Sequence, residues 1–177
     1  YENDNFISLF DRIKQNIRKN RIFAITGIIG SGKTTSLMRL AESLNENGDI
    51  IVSTNFMINS EKLNFNTIIC GLISDICEAI DVNLPNTSKL YDSKEKKLAK
   101  LIQQAKSDIV LFIDDAHDLS FETFHSLRKL NIIAKSSKRS LSVVLLGHPR
   151  LKFELMKPEM QEIGNRIKYL SMNGIEG

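Results

Sequence analysis

The sequence predicts an α/β domain built on a parallel sheet that is covered by helices on both faces. Short runs rich in β-branched residues alternate along the chain with helical patterns, which is the order found in βαβ units. One of these runs, residues 109–113, is apolar at every position, as expected of a strand buried on both faces. With 177 residues, the chain is long enough for one domain with a sizeable core, and we expect residues 1–177 to form a single domain.

The composition narrows the class of protein. The sequence is 42% hydrophobic and 25% charged, which is typical of a soluble globular protein, and its net charge of +3 is too small to indicate a nucleic-acid partner. No apolar run approaches the roughly 20 residues of a membrane span. Cys70 and Cys77 lack zinc-type spacing, and their separation predicts two buried, reduced thiols on one helix face. We therefore expect a cytoplasmic protein with no membrane contact from this part of the chain.

The first half of the chain is predicted to form three helices and two strands. Apolar residues recur at helical spacing from Phe6 to Ile17, and the next short β-rich run ends at Gly27. The helix that follows ends near Gly48, a second strand comes directly after it, and a mostly apolar helix completes this half. The helices are predicted over about residues 5–19, 34–45 and 65–80, and the strands over 21–26 and 49–54.

The second half repeats the alternation after a loop around Pro85. An amphipathic helix with an exposed lysine side precedes the apolar strand. Ser120 is expected to be the N-cap of the following helix, and Pro149 lies near the first turn of the next one. The helices are predicted over residues 94–106, 120–135 and 149–156, and the strands over 108–115, 141–147 and 167–172.

A glycine-rich segment between the first strand and the second helix carries the most specific signal. It matches G-x-x-x-x-G-K-[ST] at every fixed position. Its glycines permit backbone angles that let successive N–H groups surround an anion. The helix that begins near Lys33 points the positive end of its dipole at that anion, and the Lys33 ammonium adds a full charge for the β- and γ-phosphates. The predicted cofactor-binding residues are Gly27, Ile28, Ile29, Gly30, Ser31, Gly32, Lys33, Thr34 and Thr35.

Two adjacent acids follow the apolar strand and predict a magnesium site. The Thr34 hydroxyl is a hard oxygen ligand of the kind that Mg²⁺ prefers. Asp114 stands at the carboxyl end of its strand, where open α/β sheets bind ligands, and is expected to complete the metal site with Thr34. Asp115 comes next and could orient or deprotonate the attacking water.

Two histidines and one arginine near predicted strand ends allow two interpretations each. His148 could hydrogen-bond the γ-phosphate or the water, or could simply begin a helix before Pro149. His117 could couple the nucleotide to the following helix, or could be a surface imidazole. Arg166 could reach the γ-phosphate of a neighbouring subunit, or could be solvated.

A run of basic residues without an acid lies in the second half of the chain. It is either a solvated helix end with its loop or a surface that faces the phosphates of DNA. Its members are Arg128, Lys129, Lys135, Lys138 and Arg139.

Together, several segments resemble a known family. "AITGIIGSGKTTSLMRLAESL", "DIVLFIDDAHDLSFETFHSLRKL", "LSVVLLGHPRLKFEL" and "EIGNRIKYL" resemble the AAA+ ATPases of the secretion-associated ExeA-like group. They equally resemble the target-selection ATPases of transposons, of the TniB, TnsC and MuB kind. The likeness runs from about Phe6 to Leu170. It implies a P-loop NTPase core whose five-stranded parallel sheet has the first strand central, between the strand carrying "LLGH" and the last strand.

The resemblance also implies roles for particular residues. The loop with Lys33 and Thr34 looks like a Walker A motif, and Asp114 looks like the metal-side acid of Walker B. Asp115 occupies the catalytic position and His148 the sensor position. Arg166 takes the place of the arginine that acts between subunits, which implies a homo-oligomer. The cofactors implied are ATP and Mg²⁺.

The sequence departs from the family pattern in three places. Asp115 stands where the family has Glu and is one methylene shorter, which predicts slow hydrolysis because a displacement of about 1 Å can cost about 100-fold in rate. His148 stands where Gln is common. The sequence also ends near Gly177, where such proteins begin a helical lid with a second sensor arginine, so we expect the lid to be truncated.

Three functions are compatible with these features. The preferred one is an ATP-hydrolysing helper of transposition that oligomerises with ATP, associates with DNA through the basic run and recruits a transposase. The second is a secretion-type assembly ATPase that acts on a secretion component. The third is a nucleotide-binding switch with little hydrolysis, which the short side chain of Asp115 suggests.

Overall fold

Five strands form one parallel sheet in the computed structural model, which describes residues 4–27, 33–46, 48–56, 63–84 and 93–172. The strands are β1 (Ile22–Gly27), β2 (Ile50–Phe56), β3 (Asp108–Ile113), β4 (Leu141–Gly147) and β5 (Ile167–Met172). Their order across the sheet is β2-β3-β4-β1-β5, and every neighbouring pair is parallel. This confirms the predicted fold class. β1 lies between β4 and β5 as the resemblance implies, although the middle strand of the five is β4.

Among the described helices, the first precedes β1 and the others lie between successive strands along the chain. They are α1 (Asp4–Asn16), α2 (Lys33–Glu46), α3 (Phe65–Ala79), α4 (Lys94–Ala105), α5 (Phe121–Ser136), α6 (Arg150–Leu155) and α7 (Gln161–Gly164). Two single turns of 3-10 helix cover Ala116–Asp118 and Pro158–Met160. Ser120 is the N-cap of α5, as predicted, because its hydroxyl accepts a hydrogen bond from the Thr123 N–H at 3.2 Å.

The core consists of two apolar clusters, one on each face of the sheet. Successive residues of the inner strands point to opposite faces, so Ile109 and Leu111 belong to one cluster and Val110 and Phe112 to the other. Helices α1 and α2 cover one face, and α3 to α7 cover the other. This arrangement explains why β3 has no polar alternation, since both of its faces are packed against helices.

The predicted and observed elements differ mainly at their ends. The first helix ends at Asn16 rather than near residue 19, because Asn20 adopts left-handed backbone angles that turn the chain into β1. The two 3-10 turns and α7 were not predicted, since segments of three or four residues are too short to show a period. Whether residues 1–177 form one domain with a truncated lid stays a prediction.

The prediction of two buried cysteines is wrong for Cys70. Cys77 is buried and Cys70 is exposed, although seven residues of helix bring them to the same side of α3. After α3 the chain turns back over the end of the helix, where the Val82 N–H donates to the Cys77 carbonyl at 3.0 Å. Cys77 belongs to the core cluster on this face of the sheet, whereas Cys70 does not. Burial raises the pKa of the Cys77 thiol.

Candidate nucleotide-binding site

The candidate site lies at the edge of the sheet where β1, β3 and β4 end. Thr26 of β1 is paired with Gly147 of β4, and Ile113 of β3 is paired with Leu145 of β4, so the three strands finish at a common level. The carboxyl edge of a parallel sheet is where α/β proteins bind ligands. The segments that carry Thr34, Asp114 and His148 therefore converge here, whereas Arg166 precedes β5 at the opposite, amino edge of the sheet.

Thr34 and Asp114, the two predicted metal ligands, are in direct contact. The Thr34 hydroxyl donates a hydrogen bond of 2.8 Å to Oδ2 of Asp114, across 80 residues of sequence. The Asp115 N–H donates to the other carboxylate oxygen, Oδ1, at 2.8 Å. The main-chain N–H of Asp114 is held by the Phe56 carbonyl at 3.1 Å, so the acid is fixed on both its backbone and its side chain. The carboxylate thus faces the first turn of α2.

Asp115 has a different environment from Asp114, although the two are adjacent. Its backbone adopts the left-handed conformation, with φ of 50° and ψ of 37°, and its side chain is exposed. Aspartate is among the residues that tolerate these angles best, because its short side chain can hydrogen-bond locally. The backbone conformation therefore supplies a physical reason for Asp at a position where the resembling family has Glu.

His148 follows β4 directly and its imidazole orientation is defined by the start of α6. The Arg150 N–H donates to Nδ1 of His148 at 3.3 Å. The main-chain N–H of His148 itself donates to Nδ1 of His117 at 3.3 Å, and the two rings lie 6.4 Å apart in an edge-on arrangement. His117 therefore lies against the end of β4, and its role in coupling the nucleotide to the following helix stays a prediction.

Arg166 is exposed in the turn between α7 and β5. This turn is held by the Tyr169 hydroxyl, which donates to the Gly164 carbonyl at 3.2 Å. Nearby, Glu162 of α7 forms an ion pair with Arg128 of α5. The hydrogen bond and charge of Arg128 lower the pKa of the Glu162 carboxyl, and the charge of Arg166 lowers it further to a smaller extent. The role predicted for Arg166 between subunits stays a prediction.

The structure divides the predicted basic run into two groups. Arg128 pairs with Glu162, and the Lys129 ammonium lies 5.5 Å from the centre of the Phe65 ring, so both make contacts within the chain. Lys135, Lys138 and Arg139 are exposed around the end of α5, near the start of β4. They are therefore at the amino edge of the sheet, away from the candidate site.

Part of the predicted phosphate loop lies outside the part of the chain that the structure describes. Gly27 ends β1 and α2 begins at Lys33, but residues 28–32 and the side chain of Lys33 are not described. Thr35 is exposed in the first turn of α2. The roles predicted for Lys33 and for the loop glycines stay predictions.

The described residues fit a magnesium-bound nucleotide. Mg²⁺ usually takes one or two oxygens from the protein and fills its other positions with water and phosphate oxygens. A hydroxyl and a carboxylate oxygen 2.8 Å apart, beside the N-terminus of a 14-residue helix, supply such a pair next to an end that favours anions.

A parallel sheet with this strand order and a threonine–aspartate pair at its carboxyl edge defines a P-loop nucleotide-binding fold. The chain belongs to the AAA domain family, whose sequence profile matches residues 16–155. No helix among the described residues is long and apolar enough to cross a bilayer.

The chain is similar to General secretion pathway protein A of Aeromonas hydrophila. The two are 26% identical over 146 residues, which cover 81% of this chain and 25% of that protein. The chain thus spans about a quarter of the length of this relative. The finding supports the resemblance to the ExeA-like group, whereas the likeness to the TniB, TnsC and MuB kind stays a prediction.

Several solved structures share the fold. Cdc6p from Pyrobaculum aerophilum superposes with a TM-score of 0.63 at 18% identity, covering 96% of this chain and 45% of that chain. The Aeropyrum pernix ORC2 protein gives 0.67 at 13% identity, covering 97% and 47%. The ORC1 protein of Aeropyrum pernix, solved in complex with DNA, gives 0.60 at 15% identity, covering 98% and 45%. At these identities the similarity concerns the fold alone.

Proposed function

We propose that this chain binds ATP with Mg²⁺ and hydrolyses it as the nucleotide-binding core of an AAA+ ATPase. The observation that carries the proposal is the 2.8 Å hydrogen bond between Thr34 and Asp114. It joins the end of the predicted phosphate loop to the acid at the end of β3, which is the pairing that a magnesium–nucleotide site needs.

Each residue then has a defined task. The backbone N–H groups from Gly27 onwards and the Lys33 ammonium hold the phosphates. Thr34 and Asp114 bind the metal, which neutralises charge on the phosphate oxygens when it is present. Asp115 orients the attacking water and His148 donates to the γ-phosphate or to that water. Arg166 serves the site of a neighbouring subunit.

Hydrolysis is expected to be slow. The Asp115 side chain is one methylene shorter than Glu, and the left-handed backbone of this residue sets where its carboxylate can point. A carboxylate that falls short of the water by about 1 Å can lose about 100-fold in rate. If hydrolysis at this site were negligible, the chain would act as a switch that mainly binds ATP.

A phosphate-release assay with a nucleotide-binding assay tests the proposal. The wild-type chain should bind a fluorescent ATP analogue and release phosphate above background, and Lys33→Ala should lose both. Asp81→Asn is the matched control for the Asp115→Asn variant used below, because Asp81 also has left-handed backbone angles but lies after α3, away from the carboxyl edge of the sheet. If the analogue does not bind, the proposal is wrong; if it binds without phosphate release, the chain is a switch.

Mixing two inactive variants tests the role of Arg166 between subunits. Asp115→Asn should keep nucleotide binding but lose hydrolysis, and Arg166→Ala should lose hydrolysis because the neighbouring site lacks its arginine. In a mixture, Asp115→Asn subunits supply Arg166 to sites with intact Asp115, so part of the activity should return. Activity that stays at background at every mixing ratio would contradict this role.

For the biological role, the curated relative favours assembly of a secretion apparatus. The chain is 26% identical to General secretion pathway protein A over 81% of its length. Co-purification of the chain with envelope secretion components, dependent on ATP and lost in Lys33→Ala, would support this role. Recovery that is equal with and without ATP would count against it.

The second candidate function is that of a transposition helper that associates with DNA, and the exposed basic residues at the end of α5 support it. Lys135, Lys138 and Arg139 are free of acidic neighbours along the run, and neutralised phosphates make binding strongly salt-dependent. The affinity of the wild-type chain for duplex DNA should fall as salt rises from about 50 to about 200 mM. At the same salt concentration, the variant with all three residues replaced by alanine should bind more weakly than the wild-type chain. The control replaces Lys96 and Lys100 on α4. Equal binding by all three proteins would exclude this surface.

A further inference from the structure

His117 links the segment after β3 to the end of β4. Its Nδ1 accepts the main-chain N–H of His148 at 3.3 Å, across 31 residues of sequence. The His117 side chain is 18% exposed, whereas the hydrogen bond itself lies at the exposed end of the strand. The acid-bearing segment and the strand end that carries His148 are therefore connected through one imidazole.

The close approach depends on the absence of a side chain at Gly147. A Cβ there would lie 3.3 Å from Nδ1 of His117 and 2.9 Å from Cδ2 of Leu151. Both distances are shorter than ordinary van der Waals contacts, so the imidazole and the start of α6 pack directly on the backbone of β4. The absence of a side chain at Gly147 therefore allows the His117 ring to pack against the end of β4.

A second, longer link joins the same two segments. Asp118 lies 3.8 Å from Nε2 of His117 through Oδ2, and 3.9 Å from the Arg150 guanidinium through Oδ1. These distances suit the electrostatic attraction of an Nε2–H and a guanidinium to one carboxylate. The Ala116–Asp118 turn therefore holds the β4–α6 junction at two points.

These contacts define the tautomers of both histidines. A neutral imidazole has one donor nitrogen and one acceptor nitrogen. Because Nδ1 of His117 accepts from the His148 N–H, its proton is on Nε2, which faces Asp118. Because Nδ1 of His148 accepts from the Arg150 N–H, the His148 proton is also on Nε2, where it is available as a donor.

We propose that His117 is a positioning residue, which holds the backbone of His148 so that the end of β4 and the acids after β3 move as one unit. The proposal rests on the proposed function only for its effect on hydrolysis. Its structural content is that Nδ1 of His117 is a permanent acceptor, which requires neither nucleotide nor turnover.

Nitrogen NMR of the histidine side chains tests the structural content in the wild-type chain. The chain has only three histidines, and the variants His125→Asn and His148→Gln assign their signals. At about pH 8, where an ordinary imidazole is neutral, His117 should show a protonated Nε2 and an unprotonated Nδ1. A protonated Nδ1 in His117 would overturn the proposal, whatever the ATPase assay shows.

Two substitutions of His117 distinguish the contribution of its hydrogen-bond acceptor from the contribution of its aromatic ring. Asn places an amide oxygen near the position of Nδ1, and Phe keeps a ring but has no acceptor. In His117→Phe, amide hydrogen exchange at His148 should speed up by about 5- to 10-fold, the worth of one hydrogen bond. In His117→Asn it should stay close to the wild-type rate. Equal exchange in both variants would show that the acceptor does not hold the backbone.

Kinetics give the functional readout. His117→Phe should lower kcat by about 10- to 100-fold, because His148 loses its position, while the dissociation constant for the ATP analogue stays within about two-fold. His117→Asn should recover most of kcat. A loss of nucleotide affinity equal to the loss of kcat would show a general structural defect. If the wild-type chain binds no nucleotide, the proposed function fails, and the NMR result still decides the inference.

Discussion

The two edges of the sheet use similar polar side chains in different ways. At the amino edge, where β3 and β4 begin, side chains bond to the main chain of neighbouring segments. At the carboxyl edge, where β1, β3 and β4 end, two of the hydrogen bonds join groups that also have a proposed role with a ligand. The contrast separates polar groups that complete the fold from those that are available for chemistry.

At the amino edge, the side chains of two residues connect the helix-to-strand junctions. Asn20 donates through Nδ2 to the Asn131 carbonyl and accepts through Oδ1 from the Leu141 N–H, both at 2.9 Å. The Ser142 hydroxyl donates to the Ile17 carbonyl at 2.6 Å. These bonds satisfy backbone groups that would otherwise lack partners where the strands begin.

At the carboxyl edge, the acids illustrate the opposite use. The Asp114 carboxylate accepts hydrogen bonds from the Thr34 hydroxyl and from the Asp115 N–H. Within the described part of the chain, these are the only bonds to this carboxylate, and both donors are uncharged. No side-chain capping bond is formed by Asp115, which is exposed. Groups arranged in this way bind cations and water better than they stabilise a fold.

The largest effect is expected from Asp114→Asn. The amide keeps the size of the side chain but removes the charge that faces the metal, so turnover should fall by at least about 100-fold. The unfolding free energy should change by less than about 1 kcal/mol, because the site is not part of the core. Phosphate release and urea unfolding measure the two. If the loss in unfolding free energy exceeded the rise in the activation free energy of hydrolysis, the carboxyl edge would have a structural role as well.

Asn20→Ala should give the reverse pattern at the amino edge. Alanine loses both side-chain hydrogen bonds and must adopt the left-handed angles at φ of 55°, at a combined cost of about 2–4 kcal/mol in unfolding free energy. Turnover per folded molecule should stay within about two-fold.

Asn20→Gly is the matched variant. It loses the same bonds but accepts a positive φ, so it should be about 1 kcal/mol more stable than the alanine variant. If the two variants are equally stable, backbone strain makes no contribution here, and turnover that falls with either variant would weaken the contrast between the edges.

Asp115→Glu separates geometry from stability within the carboxyl edge. The longer side chain should bring the carboxylate nearer to the water and raise phosphate release several-fold. Glutamate tolerates left-handed angles less well than aspartate, so stability should fall by up to about 1 kcal/mol. A lower rate of phosphate release would contradict the explanation that the short side chain slows hydrolysis.

The smallest effect is expected at the surface ion pair of Arg128 and Glu162, which belongs to neither edge. Because Arg128 lowers the pKa of Glu162 in the folded chain, the pair stabilises the fold above the ordinary carboxyl pKa near 4.5 and loses this effect as pH falls through the lowered value. Glu162→Gln should therefore lower Tm slightly at neutral pH, and this difference should shrink as pH falls through the lowered pKa of Glu162. A Tm difference that grows in acid would have the wrong sign for this pair.

Much of the fold could be predicted because its signals are local. The apolar run of β3, the Ser120 N-cap and the strand ending at Gly27 each depend on a few adjacent residues, and the observed elements agree with them. The resemblance correctly implied that β1 lies between β4 and β5, which no local pattern contains. The carboxyl-edge placement of Asp114 followed from the parallel sheet, since all its strands end on one side.

The sequence by itself determined the alternation of strands and helices, the phosphate-loop motif and the acids that follow β3, since periodicity and motif spacing are written in neighbouring residues. Only the tertiary structure decided which polar groups meet. The left-handed backbone of Asp115, the bond from His148 to His117 and the pairing of Arg128 with Glu162 were not predictable. The last two join residues 31 and 34 positions apart, and such contacts are set by how helices pack on the sheet rather than by any local preference.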